Sequence, residues 1–266
     1  MSTTIPASLV KDLRDQTGAG MMECKRALVE ADGDLEQARR ILRERGLAAA
    51  GKRAGRETSE GRVLTEIDGD TSAIVAVGCE TEPVSSNEEF RKFAQRVLDA
   101  VAAEGPEAVE ALDEERVELI ARLGENIEIA GAARLEAEDG EVLASYVHPP
   151  ANKIGVLVRA HGASPELARL VAMHISFASP RFVTRAEVPA DETEAERSIL
   201  AKLVDLEGKP NDVRNKIIEG RLAKGFFAES VLEDQPWIHN PDLTVGEALA
   251  EHDAEVRDFV RYALGQ

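Results

Sequence analysis

The hydrophobic positions of the first 46 residues repeat at the three- and four-residue spacing of an α-helix. Three apolar stripes follow one another, one for each short helix: Leu9, Val10 and Leu13; some of Met21, Met22, Cys24, Leu28 and Ala31; and Leu35, Ala38, Ile41 and Leu42. Gly18 is expected to end the first helix and Gly46 the third. Asp34, with Gln37 three residues later, has the spacing of a helix N-cap. The pattern therefore predicts three short helices over residues 5–46.

Two adjacent methionines, Met21 and Met22, open the second of these helices directly after a glycine turn. Because only one face of a short helix can be buried in a small core, we expect at least one of them to lie on the surface. Methionine is flexible and polarisable, which suits a surface that grips a partner. Spacing alone favours the other interpretation, in which both side chains fill gaps in the core, since large apolar residues are mostly buried.

Residues 46–59 are rich in glycine, alanine and arginine and predict a linker. Gly46, Gly51 and Lys52 have the spacing of a phosphate-binding loop, but Arg53 stands where a Ser or Thr must bind magnesium. The motif also requires a preceding strand, and here a helix is predicted. We therefore expect no nucleotide site in this segment.

Beyond the linker the hydrophobic pattern changes to the one typical of strands. Residues 61–67 and 72–79 are predicted strands, and Asp68-Gly69 between them is a hairpin turn signal. Asn87 then has the place of an N-cap for an amphipathic helix, whose apolar positions recur every three or four residues. This stretch thus predicts a β-hairpin followed by a helix.

The same order of elements returns later in the chain. Residues 140–143 and 155–158 mirror the first hairpin, and an amphipathic helix over 167–175 follows them. A helix over 113–123 and a strand through 127–129 connect the two halves. The sequence therefore predicts an α+β core made of two similar hairpin-plus-helix halves.

Residues 191–224 predict two charged helices on either side of the turn Gly208-Lys209-Pro210-Asn211. Each helix has a narrow apolar stripe: Ile199, Leu203 and Leu206 on the first, and Val213, Ile217 and Leu222 on the second. Narrow stripes favour an antiparallel helical hairpin that stands off the core. Two helices alone bury little apolar surface, so the hairpin either contacts a partner or packs on its own body. The sequence does not choose between these.

The chain after the hairpin predicts a return to the core. Thr244 and Glu247 have the spacing of a capping box, which marks the start of a helix. Residues 256–262 predict a last strand that rejoins the sheet. With these elements the predicted fold class of the whole chain is α+β.

Charge is unevenly distributed along the 266 residues, whose net charge is −18. Residues 1–56 hold 11 Lys and Arg against 8 Asp and Glu, whereas the remainder holds 21 against 42. An acidic body is repelled by nucleic-acid phosphates. Aromatic residues make up only 4% of the chain, which leaves few side chains on which bases could stack. We therefore expect no direct binding of nucleic acid.

Several other classes of protein are disfavoured by the residues present. The first six residues do not have the pattern of a signal peptide, and no apolar run has the length of a membrane span, so we expect a cytoplasmic protein. Cys24 and Cys79 are expected to be free thiols, and the five histidines are too far apart in the sequence to form a metal-ligand cluster. The chain has no nucleophile-elbow motif. It therefore looks like an interaction protein that needs no cofactor, not an enzyme.

Longer stretches of the chain resemble the elongation factor Ts family. The residues that carry the resemblance are Leu9–Arg14, Thr17–Leu28, Ala31–Asp34, Val77–Thr81, Asn87–Phe90, Gly124–Ile127, Ile154–Val158, Ala172–Ile175, Glu219–Arg221 and Thr244–Gly246. They extend over nearly the whole chain, and the N-terminal motif is long and ordered.

The resemblance implies guanine-nucleotide exchange on elongation factor Tu during translation, with GDP, GTP and magnesium carried by the partner. It also implies a domain organisation with five segments: a three-helix head like a ubiquitin-associated (UBA) domain with its linker (1–55), core subdomain N (56–139), the first part of core subdomain C (140–190), a coiled-coil hairpin (191–228) and the return of subdomain C (229–266). In many members two copies of the protein form a dimer through this hairpin. The resemblance therefore allows a dimer of this chain through residues 191–224.

The resemblance also implies which residues contact the two domains of the partner. In the head they are Arg14, Met21, Met22 and Lys25, which would grip a helix of the G domain. In the core they are Thr81, Glu82, Pro83 and Val84, at a tip that would act near the magnesium site, together with Ile127 and His148.

Two positions depart from the family pattern. The tip is Thr81-Glu82-Pro83 where the family typically has Thr-Asp-Phe, so the carboxylate has a longer arm and the aromatic wedge is absent. His148 precedes Pro149-Pro150, where the family is often rich in glycine. From the pattern alone, an ordinary loop histidine with no special role is the favoured interpretation of His148.

A second function is open at this point. The chain could be an adaptor that does no exchange and uses its three-helix head to bind an acidic protein surface, because a fold does not determine a function. The resemblance of the core to elongation factor Ts favours exchange over this alternative.

Overall fold

A computed structural model describes residues 5–203 and 208–266 and shows an α+β fold, as predicted. The helices are α1 (Ala7–Thr17), α2 (Met21–Glu30), α3 (Leu35–Arg53), α4 (Glu82–Ser85), α5 (Glu88–Glu104), α6 (Asp113–Leu123), α7 (Pro165–Ala178), α8 (Ala190–Ala201), α9 (Asn211–Leu222), α10 (Ala228–Ser230) and α11 (Val245–Ala250). The strands are β1 (Glu60–Asp68), β2 (Thr71–Cys79), β3 (Ile127–Glu136), β4 (Glu141–Val147), β5 (Ile154–His161), β6 (Pro236–Trp237), β7 (Asn240–Thr244) and β8 (Glu255–Ala263).

The chain forms two compact units. The first comprises Met1–Leu64, Val75–Ala133 and Ala263–Gln266, and the second comprises Thr65–Ile74 and Arg134–Tyr262. The finer division into five domains stays a prediction.

In the first unit, α1, α2 and α3 form the three-helix head predicted from the sequence. Its core consists of the buried side chains Val10, Leu13, Cys24, Ala27, Leu28, Ala31 and Ala38. Gly18 adopts φ +66° at the end of α1, a conformation that glycine accepts without a Cβ clash. Asp34 caps α3, because its carboxylate accepts a hydrogen bond from the Gln37 N–H at 2.9 Å.

The predicted end of the third helix at Gly46 is wrong. Helix α3 continues to Arg53, because the leucine and alanines at residues 47–50 are strong helix formers that extend it past the glycine. Most of the predicted linker over 46–59 is therefore helical, and the non-helical connection to β1 is short. Since Gly46, Gly51 and Lys52 lie within this helix, they do not form a phosphate-binding loop.

The first half of the core also matches its prediction. Strands β1, β2 and β3 form a sheet in that order, with the tight connection of β1 to β2 at Asp68-Gly69. Asn87 caps α5 by accepting the Glu89 N–H at 2.7 Å. One face of α5 is fully buried and carries Phe90, Phe93, Ala94, Val97, Leu98 and Val101.

The second unit repeats this arrangement with β4, β5 and α7. Strands β4 and β5 pair antiparallel from Glu141 opposite His161 to Val147 opposite Gly155, and β8 joins the other edge of β5. Helix α7 covers the sheet through a core that includes Val156, Val158, Ala160, Ala168, Val171, Ala172, Ile175 and Val256. The predicted capping box is present at the start of α11. The second hairpin-plus-helix half and the last strand are thus confirmed.

Helices α8 and α9 form the predicted hairpin pair in the second unit. They are joined by an ion pair between Arg197 and Glu219, at 2.8 Å. The buried positions of α9 are Ile218 and Leu222, whereas Ile199 and Val213 of the predicted stripes are exposed. The predicted stripe residue Leu206 lies outside the described residues, and a dimer through this hairpin stays a prediction.

Candidate partner-binding site

Both methionines of the head lie on its surface. In α2 the side chains of Cys24, Ala27 and Leu28 are buried, while Met21 is 46% and Met22 62% exposed. The expectation that at least one methionine is exposed is confirmed. The interpretation that both fill gaps in the core is wrong, because the small residues Cys24 and Ala27 already occupy the inward face.

The methionines belong to a larger exposed surface on α2, which we call the head face and define as Met21, Met22, Lys25 and Val29. Residues four apart lie on one side of a helix, which places Lys25 and then Val29 one and two turns beyond Met21. Lys25 is exposed, and Val29 is 45% exposed. Arg14 is exposed in the last turn of α1. The head thus presents apolar side chains with basic neighbours, and among them Val29 was not predicted from the sequence.

The turn before the head face is held by a neighbouring helix of the same unit. A β-carbon built on Gly18 would lie 2.5 Å from Cδ of Arg122, so the turn rests directly on that side chain. The Arg122 guanidinium in turn donates to Glu89 of α5 at 2.8 Å. The position of Met21 and Met22 is therefore tied to α5 and α6.

The predicted tip is a single helical turn at the end of β2. Thr81, Glu82 and Pro83 are exposed, Val84 is half-buried and Ser85 is buried. Proline is compatible with the first turn of a helix, where its missing N–H leaves no hydrogen bond unmade. Helix α4 therefore exposes the Glu82 carboxylate and the Pro83 ring on a short element.

The Glu82 carboxylate is oriented by its own helix. It accepts a hydrogen bond from the Ser86 hydroxyl at 3.0 Å, four residues later. The other end of the tip is anchored by Arg62 of β1, whose Nε donates to the Ser85 carbonyl at 3.0 Å. The long glutamate arm is thus folded back along the tip.

Beneath the tip, residues 80–81 and 125–126 are cross-linked by hydrogen bonds. The Glu125 carboxylate accepts both the N–H and the hydroxyl of Thr81, at 3.0 and 2.6 Å. The Glu80 carboxylate accepts the Asn126 N–H at 2.6 Å. These contacts could not be predicted from the sequence, since hydrogen bonds across 44 positions leave no periodic signal.

The Cys79 thiol also contacts the tip. It donates to the Thr81 carbonyl at 3.3 Å. Burial, reinforced by the charge of Glu125, raises the pKa of Cys79 to about 12, which keeps the thiol protonated and able to donate. Cys24 and Cys79 are both free and buried, as expected.

Ile127 does not lie on the surface with the other predicted contact residues. Its side chain is fully buried at the start of β3, and its carbonyl accepts a hydrogen bond from Arg116 at 2.9 Å. A partner cannot touch this side chain in the described structure. A direct contact through Ile127 is therefore not supported, because the residue is part of the core.

His148 lies in the second unit and is exposed at the end of β4. Its ring Nδ1 is 3.1 Å from the Tyr146 hydroxyl. Its backbone N–H donates to the Ile154 carbonyl at 2.9 Å. The peptide bond between Pro149 and Pro150 that follows is cis. The loop therefore holds the ring in a defined place on the surface of its own unit.

Residues 5–203 and 208–266 hold neither a metal-ligand group nor a membrane-spanning helix. Within these ranges, His, Cys, Asp and Glu side chains form no group of three or more that could hold a metal ion. The helices of the same ranges include none that is long and apolar enough to cross a bilayer.

Comparison with known proteins decides the family. A model of the family described as elongation factor TS matches residues 80–266, which include the tip. Relatives called elongation factor Ts in Cronobacter sakazakii and Escherichia coli K12 are each 44% identical to this chain, over 98% of it and 92% of their own length. The chain belongs to the elongation factor Ts family. For the head, which precedes the residues matched by the elongation factor Ts model, the near-complete coverage by these relatives carries the assignment.

Proposed function

We propose that the chain is a guanine-nucleotide exchange factor for elongation factor Tu in translation elongation. The observation that carries the proposal is that the head face and the tip are both exposed on the first compact unit. The chain that presents them belongs to the elongation factor Ts family. Exchange requires only that the factor and the GDP–magnesium pair weaken each other's hold on the G protein. It requires no acid, base or cofactor on this chain, because the partner carries the nucleotide and the metal.

The head face supplies affinity in this proposal. Met21 and Met22 expose large, flexible apolar side chains that adapt to a partner helix. Arg14 and Lys25 add positive charge beside them, which selects a partner surface with acidic groups. In this proposal the two methionines and the two basic residues together bind the G domain.

The tip supplies the effect on the nucleotide. Thr81, Glu82 and Pro83 are exposed at the end of β2, and Val84 lies half-buried behind them. We assign them to the magnesium and phosphate region of the partner, where a carboxylate disturbs groups that hold the ion. Pro83 buries less apolar area than a phenylalanine would, so its wedge contributes less than the family pattern implies.

His148, exposed on the second unit, is proposed to contact the partner as well. The exposed side chains of Ile199, Leu203 and Val213 support a contact of the 191–224 hairpin with a second copy of the chain. The proposed location is the cytoplasm, where translation elongation takes place.

The experiment that tests the proposal follows the release of a fluorescent GDP analogue from the cognate elongation factor Tu. Addition of the chain should accelerate release with a saturating dependence on its concentration. Binding to the G protein without acceleration would contradict exchange and favour the adaptor function. Acceleration together with displacement of the chain by excess GDP and magnesium would support exchange.

A further inference from the structure

The tip is too short to hold its own shape. Helix α4 has four residues, and a single helical turn is not stable alone because nucleation costs more than its one or two hydrogen bonds return. A threonine at the N-cap normally stabilises such a turn by accepting one of its N–H groups. Here the Thr81 hydroxyl is turned toward Glu125 instead. The support of the tip must therefore come from outside the helix.

Glu125 provides that support at the N-terminal end. Its two carboxylate oxygens accept the Thr81 N–H at 3.0 Å and the Thr81 hydroxyl at 2.6 Å, so one carboxylate holds one residue at two points. Hydrogen bonds to an ionised acceptor are roughly twice as strong as those between neutral groups. These two hydrogen bonds fix the position and the orientation of Thr81. The next two residues, Glu82 and Pro83, are thereby oriented as well.

A second set of hydrogen bonds joins the same two segments, and here the segment before the tip supplies the accepting carboxylate. The Glu80 carboxylate accepts the Asn126 N–H at 2.6 Å and pairs with Arg56 at 3.3 Å. The Asn126 side-chain amide donates to the Arg56 carbonyl at 2.9 Å. The segment around Glu125 is thus held by the segment around Thr81 and holds it in return.

We propose that Glu125 is a positioning residue for nucleotide exchange: it holds Thr81 so that Glu82 and Pro83 meet the partner already oriented. The inference rests on the proposed exchange function and deepens it. A preorganised element loses less conformational entropy when it binds, so more of the contact energy is available to distort the nucleotide site. Glu125 itself need not touch the partner.

The test compares Glu125→Ala with the matched control Glu128→Ala. Glu128 is also a carboxylate near the start of β3 that accepts a threonine hydroxyl, from Thr58 at 3.0 Å, but that threonine is not part of the tip. Glu125→Ala should lower the maximal GDP-release rate at saturating factor by roughly tenfold, and Glu128→Ala should leave it within about twofold of the parent. The half-saturating concentration should change little in either, because the head face is untouched.

A variant of Thr81 tests whether the loss of rate in Glu125→Ala comes from the hydrogen bond between these two residues. Thr81→Val, which loses the hydroxyl that Glu125 accepts, should lower the maximal GDP-release rate. Glu125→Ala and Thr81→Val combined should be no slower than the slower single variant, because residues that act through one contact are not additive.

Hydrogen exchange provides a readout that does not depend on elongation factor Tu. The backbone N–H groups of Thr81, Ser85 and Ser86 should exchange faster in Glu125→Ala than in Glu128→Ala.

Unchanged exchange at these amides, or a parental maximal rate in Glu125→Ala, would overturn the inference even if the parent chain accelerates GDP release. An equal loss of rate in both variants would overturn it too, since the effect would then be one of net charge. A parent chain that does not accelerate release would overturn the proposed exchange function itself.

Discussion

Gly46 of α3 lies directly against Ala121 of α6: a β-carbon on the glycine would be 3.2 Å from Cβ of the alanine. Arg43 forms an ion pair with Glu114 between the same two helices. A side chain at position 46 would push the helices apart. The close approach therefore fixes how the third helix of the head packs on α6 within the first unit.

Replacement of Gly46 by valine should destabilise the protein by about 1–3 kcal/mol, because the added methyl groups overlap Ala121. Gly51→Val is the matched control in the same helix, since nothing in the described structure lies within 4 Å of a β-carbon built there. The control should be neutral or slightly stabilising, because valine favours a helix more than glycine does. Chemical denaturation measures both. Equal stability of the two variants would contradict the close packing.

Gly46 also shows where sequence reasoning failed. A glycine just after the last residue of an apolar stripe is a common sign of a helix C-terminus, and the local residues gave no sign of the partner helix some 75 positions later. The glycine is used for close approach instead of positive φ, a distinction that only the tertiary contact reveals. By contrast Gly18, which does adopt φ +66°, was correctly predicted to end α1.

The double variant Met21→Ala, Met22→Ala should weaken binding to nucleotide-free elongation factor Tu by roughly 1–3 kcal/mol if the head face anchors the complex. The midpoint of thermal unfolding should change little, because both side chains are largely exposed. Calorimetric titration and thermal melting measure the two quantities.

Leu47→Ala provides the control for the methionine variant. Leu47 is a similarly exposed apolar side chain on α3, outside the head face, with 53% of its surface accessible. Its replacement should leave affinity unchanged. A lower melting temperature with unchanged affinity in the methionine variant would contradict its role in binding.

His174 of α7 is a buried histidine whose two ring nitrogens both have partners in the second unit. Nε2 lies 2.9 Å from Gln235 Oε1, and Nδ1 accepts the Ile238 N–H at 3.4 Å. The Gln235 side-chain N–H donates to the Glu229 carbonyl at 2.9 Å, so its oxygen accepts from His174. This network suits the neutral ring, and burial lowers the pKa of His174 in the folded protein from 6.5.

The lowered pKa predicts a loss of stability in mild acid. Below about pH 6.5 the unfolded chain takes up a proton on His174 while the folded protein does not, so the free energy of unfolding decreases until the pH reaches the folded pKa. The stability difference between the parent and His174→Gln should therefore be larger at pH 8 than at pH 5. Urea denaturation at both pH values measures it. A difference of equal size at the two pH values would contradict a buried neutral ring.

Cys79 should be unreactive toward thiol reagents in the folded protein at pH 8. Its pKa of about 12 leaves almost none of it as thiolate, the form that reacts. Burial also raises the pKa of Cys24, so both thiols should react fully only after denaturation. A disulfide-exchange assay in native and denaturing buffer measures this. One rapidly reacting thiol in the native protein that disappears in Cys79→Ala would contradict the prediction.

The longer strands and helices and the repeated hairpin-plus-helix order could be predicted because each leaves a local period in the sequence. The adjacency of Met21 and Met22 predicted that at least one of them is exposed, and the structure shows that both are. The burial of Ile127 and the grip of Glu125 on Thr81 could not be predicted, since both depend on which distant segments meet at the start of β3. The residues proposed to contact the partner could therefore be named from the sequence, whereas the residues that support them could not.

The central proposal is that this chain and GDP–magnesium weaken each other's binding to elongation factor Tu, and the dissociation constants of the chain for the two forms of that protein test it most directly. The measurement compares the affinity of the chain for nucleotide-free elongation factor Tu with its affinity for the GDP–magnesium form. We predict tighter binding to the nucleotide-free form, by the same factor by which the chain weakens GDP binding, because coupling between two ligands is reciprocal. Equal affinity for the two forms would contradict the account.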